Sequence, residues 1–197
     1  MRNLGKVGII FNGGGFTGAF SIGFAQAIWK FGIRPEVIQG VSVGALTASK
    51  IVESGVDAAE QTWMDIEKLG PKHIFNWMDI PGNVARGRSS LFNNDGVKNI
   101  VNSIDAKKIV ASPIELQIVT RNETMDWEKQ VAKNHDPKFV ARPDLFLKRI
   151  LASAAIPPGL QPVEIENEIH SDGMSYTLKS MIQANCDTIF LLLNDQA

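Results

Sequence analysis

The chain has 197 residues, enough to bury one substantial core, and its 44% apolar and 21% charged residues are ordinary for a globular domain. A formal net charge of −1 creates no long-range field for nucleic acid or anionic lipid, so an approach to a membrane surface has to rest on local apolar groups. The single cysteine, Cys186, excludes an internal disulfide and is expected to be a buried, inert thiol.

In chain order, residues 6–11 read as a buried strand. Lys6 interrupts the N-terminal region and the apolar segment after it is too short for a signal peptide. No apolar run approaches the length of a membrane span, so the default expectation is a cytoplasmic protein, at most peripheral to a membrane. Asn12-Gly13-Gly14-Gly15-Phe16-Thr17-Gly18 follows the strand directly. From Ala19 the spacing of Phe20, Ile22, Phe24, Ala25, Ile28 and Trp29 predicts a largely buried helix ending near Gly32. Arg34-Pro35 resets the chain and a second strand begins at about Val37. Strand, glycine loop, helix, strand, helix is the opening of a parallel α/β sheet.

The second strand ends in Gly40-Val41-Ser42-Val43-Gly44, and Ala45 to Val52 reads as a helix. G-x-S-x-G at a strand-to-helix junction is the pattern of a nucleophile elbow. Small residues flank the serine because strand and helix approach closely there, while the serine takes a strained backbone. Its hydroxyl then projects at the carboxyl end of the strand, near the unpaired N–H groups of the following helix. An ordinary glycine-bounded turn is the alternative.

Gly13, Gly15 and Gly18 also match G-x-G-x-x-G, which raises a nucleotide-binding α/β domain as a rival. In such a domain the next strand should finish on an acidic residue. Here the nearby acid, Glu36, stands at the strand's beginning and Ser42 at its far end. On the hydrolase reading, the backbone N–H groups of Gly13, Gly14 and Gly15 face an oxygen that becomes negative during acyl transfer.

Residues 57–68 predict an amphipathic helix stopped by Gly70-Pro71. The aromatic stretch His73, Ile74, Phe75, Trp77, Met78, Ile80, Pro81 is expected to pack on the sheet, with a cover or a lipid-facing patch as the alternative. Arg86 and Arg88 fall in a loop, and 95–103 reads as a helix. Pro113 to Thr120 predicts a strand. Residues 121–141 are mostly polar, with Trp127 and Val131 the expected buried positions. A helix runs from Pro143 to Ala154 and closes at Ile156-Pro157-Pro158-Gly159. A short hairpin over 162–170 delivers Ser171-Asp172-Gly173 into a turn. Thr177 to Ala184 predicts a last helix, and Thr188 to Leu193 a buried last strand. No repeat or linker interrupts the chain, so a single domain is expected over 1–197.

A serine hydroxyl needs a proton acceptor. His73, His135 and His170 are available, and His170 could pair with Asp136 or Asp144 in the order of an α/β-hydrolase triad. Asp172 is the other candidate. The chain as a whole resembles the patatin-like phospholipase family in three features. These are the glycine-rich Gly13 to Gly18, the elbow Gly40 to Gly44, and Ala152-Ser153-Ala154-Ala155-Ile156-Pro157 leading to Asp172-Gly173. The resemblance implies a three-layer α/β/α sandwich with a mainly parallel central sheet and a Ser–Asp dyad without histidine. It implies cleavage of acyl esters of lipids, with no metal or other cofactor. Carried onto this chain, Ser42 is the nucleophile, Asp172 its base, and Gly13, Gly14 and Gly15 the oxyanion hole. Two positions depart from the family pattern. Met174 stands where a glycine or alanine usually follows Asp-Gly, and Thr17 where a basic residue is frequent. An exposed aspartate, with a pKa of about 3.9, holds a serine proton poorly, so burial of Asp172 is expected.

Overall fold

The computed structural model of the chain describes residues 3–15, 18–88 and 90–193. Its sheet is built outward from β1 (Val7–Phe11), a five-residue strand buried throughout. β1 pairs in parallel with β2 (Val37–Val41) on one side and β7 (Thr188–Leu192) on the other. β2 pairs in parallel with β3 (Glu115–Asn122). There the direction changes. Both β4 (Glu128–Lys133) and β6 (Glu168–Asp172) run antiparallel to β3, and β5 (Val163–Ile165) antiparallel to β6. The sheet is mixed, with order β5-β6-β3-β2-β1-β7 and β4 also on β3.

The helices described are α1 (Gly18–Lys30), α2 (Val43–Ser54), α3 (Val56–Leu69), α4 (Asp79–Ala85), α5 (Asp95–Asn102), α6 (Ala106–Ala111), α7 (Pro137–Ala141), α8 (Pro143–Ser153) and α9 (Leu178–Gln183). Strand alternation sends Ile9, Phe11, Ile38, Leu116 and Ile118 to one face. There they join buried residues of α1, α2, α3, α5 and α8 in the main core. The other face is thinner. Ile10 and Val37 pack under Met181 and Ala184 at α9. A Cβ on Gly8 would come within 2.4 Å of Met181 Cε, so the glycine lets this layer close down. α9 is further secured by polar contacts. Gln39 Nε2 donates to Ser180 Oγ at 2.8 Å and to the Thr177 carbonyl at 3.0 Å, and Ser180 Oγ donates to Gln117 Oε1 at 2.7 Å. Every one of those side chains belongs to a buried or half-buried residue, and each must find such a partner.

Several expectations are corrected. β7 is half-buried rather than buried, because it pairs with β1 alone and its other edge is free of described strands. Residues 121–141 hold a strand and a helix that polarity concealed. The buried positions there are Asn122, Ala132, Asn134 and Phe139, while Val131 is half-buried and Trp127 is 48% exposed beneath the Arg121 guanidinium. Asn134 stands in for backbone. Its Oδ1 accepts the Leu116 N–H at 2.8 Å, and its Nδ2 donates to the Ile109 and Ile114 carbonyls at 2.8 and 3.1 Å. The aromatic stretch divides. Ile74, Phe75 and Ile80 pack against the core, whereas Trp77 and Met78 are 67% and 84% exposed. Cys186 is half-buried rather than buried, and burial is the main influence pushing its thiol pKa up.

Candidate active site

The geometry of the site follows from how β3 is shared. A strand has two edges. β4 occupies one of them along Gln117–Asn122, so β2 and β6 must divide the other. β2 opposes β3 as far as Val41↔Val119, and β6 takes over at Asp172↔Thr120. Val119 and Thr120 are consecutive. The first residue beyond β2 is Ser42 and the last of β6 is Asp172, so the register brings the two together.

Ser42 has φ 57 and ψ −130, a conformation that costs an L-residue about 1–3 kcal/mol and persists where its surroundings fix it. The flanking glycines show what does so. A Cβ on Gly40 would lie 2.6 Å from Ala45 Cα, and one on Gly44 would lie 2.1 Å from the Phe11 carbonyl oxygen. Two hydrogen bonds pin the serine backbone. Its carbonyl accepts the Ala45 N–H at 2.9 Å, and its N–H donates to Ser153 Oγ at 3.0 Å. Ser153 Oγ in turn donates to the Val119 carbonyl at 2.7 Å, so α8 clamps the elbow to β3.

Asp172 is 1% exposed. Its Oδ1 accepts the Met174 N–H at 2.7 Å, an Asx-type turn that fixes the carboxyl plane. Burial raises its pKa above the usual carboxylate value; the Ser42 hydroxyl, the Met174 N–H and the Arg121 charge oppose the rise. Among the described residues Oδ2 has no hydrogen bond of standard geometry, although the Ser42 hydroxyl is near enough to act on the carboxyl. The two groups are neighbours whose hydrogen bond is incompletely aligned. Gly173 is required by closeness, since a Cβ there would lie 2.8 Å from the Val119 carbonyl oxygen. Met174 has φ 63, a left-handed conformation that suits glycine, which gives the family's preference at this position a physical reason. Ser171 and Asp172 end β6, so the expected turn starts two residues later, at Gly173.

Gly13 backs onto Ser42. A Cβ there would be 3.1 Å from Ser42 Cβ and 3.7 Å from its Oγ. Gly14 and Gly15 have φ 143 and 58, and Gly15 lines the space in front of Ser42. Phe16 and Thr17, the rest of that motif, lie outside the described residues.

The sequence places this arrangement. The family model of the patatin-like phospholipases matches residues 9–177, which takes in the glycine loop, the elbow and Asp172. The chain belongs to the patatin-like phospholipase family. It is 40% identical over 48 residues to triacylglycerol lipase 4 and to triacylglycerol lipase 5 of Saccharomyces cerevisiae. Those matches take in 24% of this chain but 5% and 6% of the two lipases. The crystal structure of VipD from Legionella pneumophila aligns with 87% of this chain and 46% of its own, at a TM-score of 0.48 and 15% identity.

The three histidines sit elsewhere. His73 ends a 3-10 turn (Pro71–His73) and is exposed; His135 Nε2 lies 2.8 Å from the Ser112 carbonyl oxygen at the surface. His170 is fully buried, but its nitrogens face Arg149 Nη1 at 2.8 Å and Glu168 Oε2 at 3.3 Å. Burial first, and then the Arg149 charge, lower its pKa to about 4, so at neutral pH it is an uncharged acceptor for the guanidinium. Asp144 is taken up by Arg142 at 3.0 Å, and Asp136 accepts the Lys133 N–H at 3.3 Å. Neither acid is among the partners of His170. Among the described residues no group of three His, Cys, Asp or Glu is placed to hold a metal.

Two residues of the patatin-like site were not singled out by sequence. Ser153 stands inside a quoted motif, yet nothing in its spacing reveals a clamp. Arg121 donates from Nε to the Asp172 carbonyl at 3.0 Å and lies over the Trp127 ring at 4.7 Å, and no local pattern marks it. In front of Ser42 an apolar chamber of about 100 Å³ is walled by Leu46, Trp63, Ile66, Phe75, Val97 and Leu160, among others.

Proposed function

We propose that this chain, as a single hydrolase domain, cleaves fatty acyl esters of lipids, phospholipids included, through an acyl-enzyme on Ser42. The observation that carries the reading is the handover on one edge of β3, which leaves Ser42 beside a buried Asp172. Ser42 Oγ attacks the ester carbonyl while its proton passes to Asp172 Oδ2, the carboxylate oxygen without a standard partner among the described residues. The raised pKa of that carboxyl makes it a better base than an exposed aspartate. The carbonyl oxygen becomes negative against the N–H groups of Gly13, Gly14 and Gly15, where one well-placed donor is worth about 3–4 kcal/mol. Collapse of the tetrahedral intermediate passes the proton from Asp172 to the departing alcohol. Water, deprotonated by the same carboxylate, then releases the fatty acid and regenerates Ser42.

The apolar chamber supports a hydrocarbon acyl group over a polar one. Among the described residues no helix is long and apolar enough to cross a membrane, and the exposed Trp77 and Met78 support access to aggregated lipid from the aqueous side. The test is labelling with a fluorophosphonate probe together with turnover of p-nitrophenyl esters. Labelling and turnover are expected, both lost in Ser42→Ala and turnover lost in Asp172→Asn. Labelling that survives Ser42→Ala, or loss of activity in His170→Ala but not in Asp172→Asn, would overturn the assignment.

A further inference from the structure

Two spaces have a wall in common, and the inner one adjoins Ser42. The inner one is the apolar chamber of about 100 Å³. The outer one is an open groove of about 570 Å³ between α1 and α3, lined by Ile22, Gly23, Gln26, Glu60, Met64 and Pro71 among others. Trp63 and Ile66, one turn apart on α3, belong to both linings. They are not equally fixed. The Trp63 indole donates to Thr47 Oγ1 at 3.0 Å inside the core, while Ile66 is held by apolar contact alone. Across the groove Gln26 Nε2 donates to Glu60 Oε2 at 2.7 Å, so these polar ends satisfy each other.

Gly23 adds an independent observation. It stands in the middle of α1, where glycine is the least favourable residue after proline. A Cβ built on it meets nothing within 4 Å, and its φ lies outside the left-handed region, so neither crowding nor backbone geometry calls for glycine. What the missing side chain leaves is room on the groove wall.

From these features we infer that the groove between α1 and α3 receives the distal part of a long acyl chain whose ester end lies at Ser42. Ile66 is the side chain that yields to let it pass. The inference rests on the acyl hydrolase reading above and adds to it a chain-length preference. A short acyl group ends inside the inner chamber. Each further methylene that leaves water for the groove strengthens binding roughly fourfold at most, so kcat/KM should rise with chain length.

The experiment compares kcat/KM for p-nitrophenyl butyrate, octanoate and palmitate, in one mixed-micelle composition, on the full chain and on Gly23→Leu. Leucine is favoured over glycine in a helix interior, so the variant should fold with a midpoint at or above that of the parent. The expected result is a parent profile that rises with chain length and a palmitate-to-butyrate ratio at least tenfold lower in Gly23→Leu. Ile66→Ala, which opens the wall, should shift the ratio the other way. A flat parent profile with clear butyrate turnover, an unchanged ratio in Gly23→Leu, or an equal fall on all three esters would overturn this inference alone. Absence of turnover and of fluorophosphonate labelling in the parent would overturn the hydrolase reading and this one with it.

Discussion

Removing one buried oxygen atom should test the clamp on the elbow. In Ser153→Ala the Ser42 N–H loses its acceptor at 3.0 Å and the Val119 carbonyl loses a donor at 2.7 Å. Ser153 is fully buried, so water cannot replace the hydroxyl without a rearrangement. A buried polar group left without its partner costs roughly 1–3 kcal/mol, and carbonyls tolerate the loss better than N–H groups. The sum is roughly 2–4 kcal/mol, which in a domain of this size lowers Tm by roughly 5–15 °C. The N–H concerned belongs to the strained residue itself, so its release should also let the Ser42 hydroxyl drift and lower kcat roughly 10- to 100-fold, with KM little changed. Ser49→Ala is the matched control. That hydroxyl is equally buried, but it donates at 2.6 Å to Ala45, a carbonyl one turn back in its own helix, so its loss should cost under about 0.5 kcal/mol. Thermal unfolding and ester kinetics on the three proteins decide the matter. If Ser153→Ala unfolds with Ser49→Ala and keeps its kcat, the clamp plays no part in holding the elbow.

Asp172→Asn should abolish turnover and also change how stability depends on pH. The folded pKa of Asp172 is raised by burial, so its contribution is fully present below the unfolded pKa of about 3.9 and is lost as pH rises through the folded value. The Tm of the variant relative to the parent should therefore increase from pH 3 to pH 7, and a constant difference would show that the carboxyl is not desolvated. Parent activity should fall on acidification as Asp172 is protonated, with the midpoint above the usual carboxylate range. Gly44→Ala drives a methyl into the Phe11 carbonyl at a nominal 2.1 Å and should destabilise by roughly 3 kcal/mol or more, read by urea unfolding. Met174→Gly relieves a left-handed conformation at φ 63, worth roughly 1–2 kcal/mol, against roughly 0.5–1 kcal/mol of extra chain entropy. Its urea midpoint should equal or exceed that of the parent, whereas Met174→Val should lower it.

The parts of the fold that the sequence made legible are those with a local cause. β1, β2 and the helix after the elbow announce themselves because an apolar run and a glycine leave few conformations open, and Gly40 is dictated by the Ala45 backbone five residues on, although Gly44 answers to the distant Phe11 carbonyl of β1. β4 stayed hidden because it opens on the polar run Glu128, Lys129 and Gln130, the first two of them exposed, and its one buried residue is the small Ala132. Trp127 misled for the opposite reason: it is large and apolar, yet it serves as the underside of Arg121 at the surface. Asn134 and Ser153 were unreadable because their value lies in which backbone groups of distant elements come within 3 Å of them. No periodicity encodes that.

The register of β3 also bears on the proposal that an aspartate serves where a histidine is commonly needed. A histidine helper works near its ordinary pKa, whereas a carboxylate has to be lifted towards neutrality, and burial is the means at hand. Burying a loop carboxylate would leave its backbone unsatisfied as well. Ending β6 on Asp172 avoids this, because its N–H donates to Ala155, its carbonyl accepts from Arg121, and one carboxylate oxygen holds the Met174 N–H. The remaining oxygen is the one with no standard partner among the described residues, next to the hydroxyl it is proposed to deprotonate. His170, two residues earlier on the same strand, already accepts from a buried guanidinium. To serve as a base it would have to surrender that bond and leave the Arg149 charge short of an acceptor, a cost that replacing His170 with glutamine, which can still accept, would separate from any catalytic role. His170→Gln should accordingly retain most of the ester turnover and lose at most roughly 1–2 kcal/mol of stability, whereas a loss of turnover as deep as that of Ser42→Ala would return the histidine to the mechanism.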